Sequence, residues 1–149
     1  MKTLARLVLL SSLIVTGTGL ASADMPGAHP YYVHALTDLR QARAHLDYHG
    51  ANEQRDAEEE HAIRSIDEII DVVKKAAIAD GKDIKLAEPQ DVRLARADRY
   101  YQALQLLIAA RGDVAQKEDN PRARELKDHA FAQITDTIQI VKDLQRKYK

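Results

Sequence analysis

The chain has 149 residues, 30% of them charged, a formal net charge of -1, and neither cysteine nor tryptophan. Without cysteine there can be no disulfide, iron–sulfur cluster, thiolate zinc site or thiol nucleophile. Charges of both signs are interspersed and aromatic residues make up 5%, so neither a one-sided basic patch nor a base-stacking platform for nucleic acid is present.

The first stretch, "MKTLARLVLLSSLIVTGTGLASAD", begins with Lys2 and Arg6, continues with the mostly apolar Leu7 to Leu20 and ends in Ala21-Ser22-Ala23. A basic start, an apolar middle and a small-x-small site are the layout of a secretory signal peptide. The apolar stretch falls short of the roughly 20 residues a membrane-spanning helix needs. Residues 1–23 are therefore expected to be removed, leaving a mature chain of 24–149 that is periplasmic or secreted. Losing Lys2 and Arg6 takes the 22 basic residues to 20 against 23 acidic ones, a net charge near -3. A single domain of this size must be held by its core alone.

Four amphipathic helices are predicted in the mature chain, at about 30–49, 54–79, 91–116 and 121–147. Pro30 suits the first turn of the first helix and Gly50 a left-handed cap at its end; Tyr32, Leu36, Leu39 and Leu46 share its apolar side. The second helix opens with Asp56, Glu58, Glu59 and Glu60, acids that the helix dipole favours at an N-terminus. Its seam reads Ile63, Ile66, Ile70, Val73, Ala77, and it stops near Gly81. A connection through Ile84, Leu86 and Pro89 leads to a third helix, with Leu94, Ala97, Tyr101, Leu104 and Ile108 on one side. Asn120 as N-cap and Pro121 at the first helical position start the fourth, whose seam is Ala123, Ala130, Ile134, Ile138, Val141 and Leu144. No window alternates with the period of two that a strand requires. With short connections the expected architecture is all-α, an up-down-up-down antiparallel four-helix bundle.

On the first helix His34, Asp38, His45 and His49 fall within about 60° of one another at 100° per residue. Two histidines four residues apart can grip one transition-metal ion, so this stripe is the candidate metal site, for zinc or copper. Against it, the stripe is better read as a polar flank, and His61 and His129 point away from their own seams, supplying no third ligand. His49, His61 and His129 are expected at one level, near the turn between the first two helices. Glu58-Glu59-Glu60-His61 holds a Glu-x-x-His, but a di-metal carboxylate bundle needs it on two helices; Glu125 and His129 have the wrong spacing. Ser65 lies in mid-helix rather than on a turn, no glycine-rich loop is present to cradle phosphate, and the mature chain keeps only Met25 as a thioether. No catalytic set assembles. The tyrosines are expected at one end of the bundle, Tyr32 and Tyr101 in the core with Tyr31 and Tyr100 at its margin and Tyr148 nearby, packed or lining a small apolar ligand site. Leu106, off the third seam, is the candidate contact for a second copy or a helical partner.

The stretches "HPYYVHALTDLRQAR", "AAIADGKDI" and "EDNPRAR" resemble a family of exported bacterial helical-bundle proteins of unknown function, across nearly all of the mature chain. The resemblance implies a bundle fold and export. It directs attention to His29, Pro30, His34, Asp38, Arg40, Asp80, Gly81, Asn120 and Pro121, and implies no activity, cofactor or partner. On these grounds the expected function is a non-enzymatic binding or structural module of the bacterial envelope, with the metal-binding stripe as the alternative.

Overall fold

A computed structural model describes residues 31–81, 84, 89 and 92–149. Residues 1–23, expected to be a signal peptide, and Asp24, Met25, His29, Pro30, Leu86 and Asp91 lie outside the described residues. The described part holds four α-helices and no strand: α1 Tyr31–Asp47, α2 Ala57–Ala79, α3 Arg96–Val114 and α4 Pro121–Lys147.

Local chemistry sets most of the boundaries. At α2, Asp56 Oδ1 accepts from Glu58 N (3.1 Å) and Glu59 Oε2 accepts from Asp56 N (3.2 Å), a reciprocal capping box. At α4, Asn120 Oδ1 accepts from the backbone N–H of Arg122 (3.0 Å) and Ala123 (3.3 Å), with Pro121 following as expected. Gly81 closes α2 at φ 76, backbone that only glycine adopts without strain. Gly50 is not left-handed, contrary to expectation: α1 ends at Asp47, and the Gly50 carbonyl instead accepts from Glu53 N (3.0 Å) in a turn. α3 has no side-chain cap and begins at Arg96, later than periodicity implied.

The seams of α1, α2 and α4 are buried as read: Leu36, Leu39, Leu46, Ile66, Val73, Ala77, Ala130, Ile134 and Leu144 are each 0–1% exposed. α3 is turned. Its buried residues are Arg99, Tyr100, Ala103, Leu104, Leu107, Ala110 and Val114, whereas Leu94, Tyr101 and Ile108 stand 39–49% exposed. The helix carries two apolar stripes about one residue apart, and packing selected the one containing Tyr100 and Leu107. Leu106, the candidate contact for a partner, lies against the core and is only partly exposed.

The topology also differs from up-down-up-down. One pole, here the lower, gathers the start of α1, the end of α2 and the start of α4: Tyr32 donates to Glu118 Oε2 (2.5 Å) and Asn120 Nδ2 to the Ala79 carbonyl (2.8 Å). The upper pole gathers the end of α1, the starts of α2 and α3 and the end of α4: Arg99 Nε donates to the His45 carbonyl (3.2 Å), Tyr100 to Glu59 (3.1 Å) and Tyr148 to Asp56 (2.8 Å). So α2 and α3 run the same way, and α1 and α4 run opposite to them. Each of α1 and α4 packs against both α2 and α3. Like-directed helices thus lie across the diagonals, and every packed pair is antiparallel, as helix dipoles favour. The connection over residues 81–95 has to return the length of the bundle. Fifteen residues can extend roughly 50 Å against about 35 Å for a helix of this length, so the return is within reach. Ile84, from this connection, packs against the core.

Candidate functional site

Three polar regions emerge, and the sequence located only part of each. The upper pole is a network of buried charge. Arg99, wholly buried, donates to Glu53 (2.5 Å), to the His45 carbonyl and to the Leu94 carbonyl (2.8 Å), the last securing the uncapped start of α3. Glu59, also wholly buried, accepts from Tyr100 and from the backbone of Asp56, with Arg96 Nη2 at 3.8 Å and His49 Nε2 at 3.4 Å. Arg96 donates to the Gln54 carbonyl and lies over the Tyr148 ring, 4.5 Å from its centre; such stacking suits the weakly hydrated guanidinium. Hydrogen bonding from Arg99 holds the Glu53 carboxyl below its usual range. Asp56 is held down by hydrogen bonding with Glu58, then with Lys147 and Tyr148. Burial, followed by the charge of Glu59, pushes the Tyr100 hydroxyl well up. Apart from Arg96 Nε, which is buried without a hydrogen-bond partner, the buried groups satisfy one another, which makes the network a clamp on four helix ends rather than a cleft.

The lower pole repeats the tyrosine–glutamate pair, but its arginine, Arg124, donates to the backbone carbonyls of Glu118 (3.0 Å) and Asp119 (3.3 Å) rather than to the carboxylate. Tyr32 and Glu118 are 2% and 5% exposed, and burial, then the Glu118 hydrogen bond, raises the Tyr32 hydroxyl well above its ordinary range. Glu118 Oε1 also accepts from Asn120 N (2.8 Å). Among the described residues Asp80, Glu118 and Asp119 are the one group of three potential ligands whose oxygens lie within 4.8 Å of one another. The resemblance directed attention to Asp80 but to neither of the other two.

The third region is a groove of about 780 Å³ between the last turn of α2 and the first turns of α4. Lys75, Ile78 and Ala79 line one wall, and Arg122, Glu125, Leu126 and His129 the other. The spacing of three and four on each helix turns both sets of side chains to the same opening. Ile78 is 65% exposed, the most exposed large apolar side chain among the described residues. No described acid lies within ion-pair distance of Lys75 or Arg122. The available signal in the sequence was Ile78 itself, an isoleucine one position off the seam ending at Ala77.

The histidine stripe divides in two. His34 is exposed on the lower half of α1, where it and Asp38 come near Asp113 of α3. Burial, then the charge of Asp113, raises Asp38, while His34 opposes the rise. His45 and His49 lie in the upper pole; from position 34 to 45 the axial rise is about 16 Å. His45 is 6% exposed, with Nε2 3.3 Å from Gln41 Nε2 and Nδ1 buried without a hydrogen-bond partner. Both ring nitrogens of His49 face Arg55, at 3.2 and 3.1 Å, where a guanidinium competes for the lone pair and repels a cation. The four residues do not converge on one point. His61 and His129 are exposed, as expected. His129, however, sits beside Ile78 and Ala79 at the lower pole, not level with His49, because α4 starts there. The tyrosines likewise occupy both poles rather than one: Tyr32 is below, Tyr100 and Tyr148 are above with ring centres 5.6 Å apart, and Tyr100 is buried in place of the 49%-exposed Tyr101.

Among the described residues no helix is long and apolar enough to cross a membrane. Comparisons with protein families, curated proteins and solved structures return no match, so function is argued from the chain's own residues.

Proposed function

We propose that this chain is an exported, non-catalytic four-helix-bundle protein of the bacterial envelope, acting as a binding module through the groove between α2 and α4. Export is supported by the layout of residues 1–23 and by the resemblance carried by the "HPYYVHALTDLRQAR" and "EDNPRAR" stretches. The observation that carries the binding reading is the groove's composition: an exposed Ile78 between two cations, Lys75 and Arg122, that no described acid pairs. Its volume is within the roughly 300–1,000 Å³ usual for small-molecule sites. The upper pole, by contrast, spends its charges on its own helix ends. Native mass spectrometry of the protein purified from its host tests the reading. A co-purifying small molecule that is lost in Ile78→Asp is expected; a bare polypeptide in both would end it.

The alternative is a transition-metal-binding protein using His34, Asp38, His45 and His49, with zinc or copper as the ion. Its support is the His45/His49 spacing; the division of the stripe and the Arg55 guanidinium at His49 weaken it. Stoichiometric zinc or copper uptake that disappears in His49→Ala would restore it.

A further inference from the structure

We propose that the α2–α4 groove binds a monoanionic amphiphile: a free carboxylate whose head lies between Lys75 and Arg122 and whose apolar chain lies along Ile78, Ala79 and Leu126. The assignment rests on the binding-module reading and names the ligand class for that site. Most other cations in the bundle are spoken for. Arg43 pairs with Asp67 and Asp47, Arg55 with Asp47, Arg99 with Glu53, and Lys147 with Asp56. Lys75 and Arg122 have no such partner among the described residues, yet both edge an apolar surface. A charge beside an apolar floor is the arrangement that recognises a ligand with both characters.

The charge count selects the head group. Lys75 and Arg122 contribute two positive charges and Glu125 one negative, while His129 is counted neutral. The surplus is a single positive charge, matched by one carboxylate; a dianionic phosphate would meet Glu125 with a charge left over. Helix dipoles do not decide the matter. The positive N-terminus of α4 and the negative C-terminus of α2 lie at the same pole, joined by Asn120 Nδ2 on the Ala79 carbonyl, so their fields offset one another. Selectivity therefore rests on side chains.

The apolar floor selects the tail. Ile78, Ala79 and Leu126 are the groove's apolar contacts, and Leu126 is already packed partly into the core. A docked helix needs a longer row of apolar positions at i, i+3, i+4 and i+7. From Arg122 to His129 the groove follows α4 for about 10 Å, an extent that suits a flexible chain.

Titration calorimetry of the mature chain with decanoate, below its micelle concentration, tests the assignment. Saturable binding of one decanoate per chain is expected, with decan-1-ol, decyltrimethylammonium and acetate each much weaker. Arg122→Ala and Lys75→Ala, both at exposed positions, should each weaken decanoate by roughly tenfold or more. Ile78→Asp should abolish binding while the far-ultraviolet helix signal and melting stay those of the parent. Decan-1-ol binding as tightly as decanoate overturns the carboxylate assignment, as does decanoate affinity unchanged in both Arg122→Ala and Lys75→Ala. A dimer that buries Ile78 and takes up no decanoate overturns it in favour of a second copy. An uncharged or cationic molecule co-purifying from the host and lost in Ile78→Asp refutes the carboxylate but leaves the binding module standing. Absence of any ligand in both experiments refutes both.

Discussion

The two poles of the bundle bury the same pair, a tyrosine hydroxyl on a glutamate, and surround it differently. Above, Tyr100–Glu59 has Arg96 beside it, and Arg99 closes the layer onto Glu53 and two carbonyls. Below, Tyr32–Glu118 sits among Asp80 and Asp119, and no described cation is within ion-pair distance of the Glu118 carboxylate. A buried carboxylate with a guanidinium partner holds helices in place; one among other carboxylates carries repulsion. The contrast teaches that the upper pole is the structural clamp. The lower pole, which also holds the unpaired cations of the groove, is the end at which binding is proposed.

Removing the clamp should have the largest effect. Arg99→Met leaves the His45 and Leu94 carbonyls without their donor and the partly exposed Glu53 with Arg96 alone, at 3.6 Å, and should cost about 2–4 kcal/mol, chiefly from the orphaned carbonyls. Glu118→Gln keeps Oε1 as acceptor for the Asn120 N–H and turns an amide N–H toward the Tyr32 oxygen, which then accepts instead of donating, while removing one of three crowded charges. It should leave stability within about 1 kcal/mol of the parent, or raise it. Urea unfolding of the two variants measures the difference; equal losses would erase the distinction between poles. Next in size is Glu59→Ala, which loses half of the capping box and the acceptor for Tyr100, about 2–3 kcal/mol together. Glu59→Gln should recover most of that loss if hydrogen bonding rather than charge is what matters there.

How much of this could be read from sequence differs by element. The helices themselves, the Asn120–Pro121 start and the seams of α1, α2 and α4 were legible because capping and period are local. The seam of α3 was not. Of the expected seam only Leu104 is buried; Leu94, Ala97, Tyr101 and Ile108 are as regular as Tyr100, Ala103, Leu107 and Val114, and only the neighbours α1 and α4 decide between them. The path of the chain is not set by local sequence, because residues 81–95 are long enough either to turn back or to return. The returning path puts the start of α4, and with it His129, at the pole opposite to the one expected. Glu59 and Arg99 were illegible for a related reason: their partners lie 41 and 46 residues away in sequence, at Tyr100 and Glu53. Only tertiary folding makes burial of those charges affordable.

Acid should weaken the clamp before it touches the lower pole. Burial, then the nearby Arg99 charge, holds His45 below its ordinary value of 6.5. As pH falls through 6.5 the unfolded chain takes up a proton that the folded chain refuses. Stability therefore drops from there until the folded pKa is reached. Asp38 and Asp113 behave oppositely. Both are raised above 3.8 by burial, so the folded chain takes their protons first and gains stability as pH falls through their raised values. Urea midpoints should decline as pH falls through 6.5, with a shallower decline in His45→Gln. An unchanged slope in that variant would mean that another histidine is responsible. Asp113→Asn should reduce the gain that Asp38 shows at lower pH.

The smallest effects sharpen the comparison at the level of backbone, through two glycines toward the lower pole. Gly81 ends α2 at φ 76 with open space around its missing side chain. Gly81→Ala therefore pays only the conformational strain of a left-handed residue, about 1 kcal/mol. Gly112 is inside α3 with ordinary helical backbone and nothing within 4 Å of an added Cβ. Gly112→Ala should stabilise by about 0.4–1 kcal/mol, because it restricts the unfolded chain without crowding the folded one. Opposite shifts in thermal midpoint are the expected result. Two stabilising shifts would mean that the turn at Gly81 relaxes without cost and that α2 needs no left-handed residue to end where the groove begins.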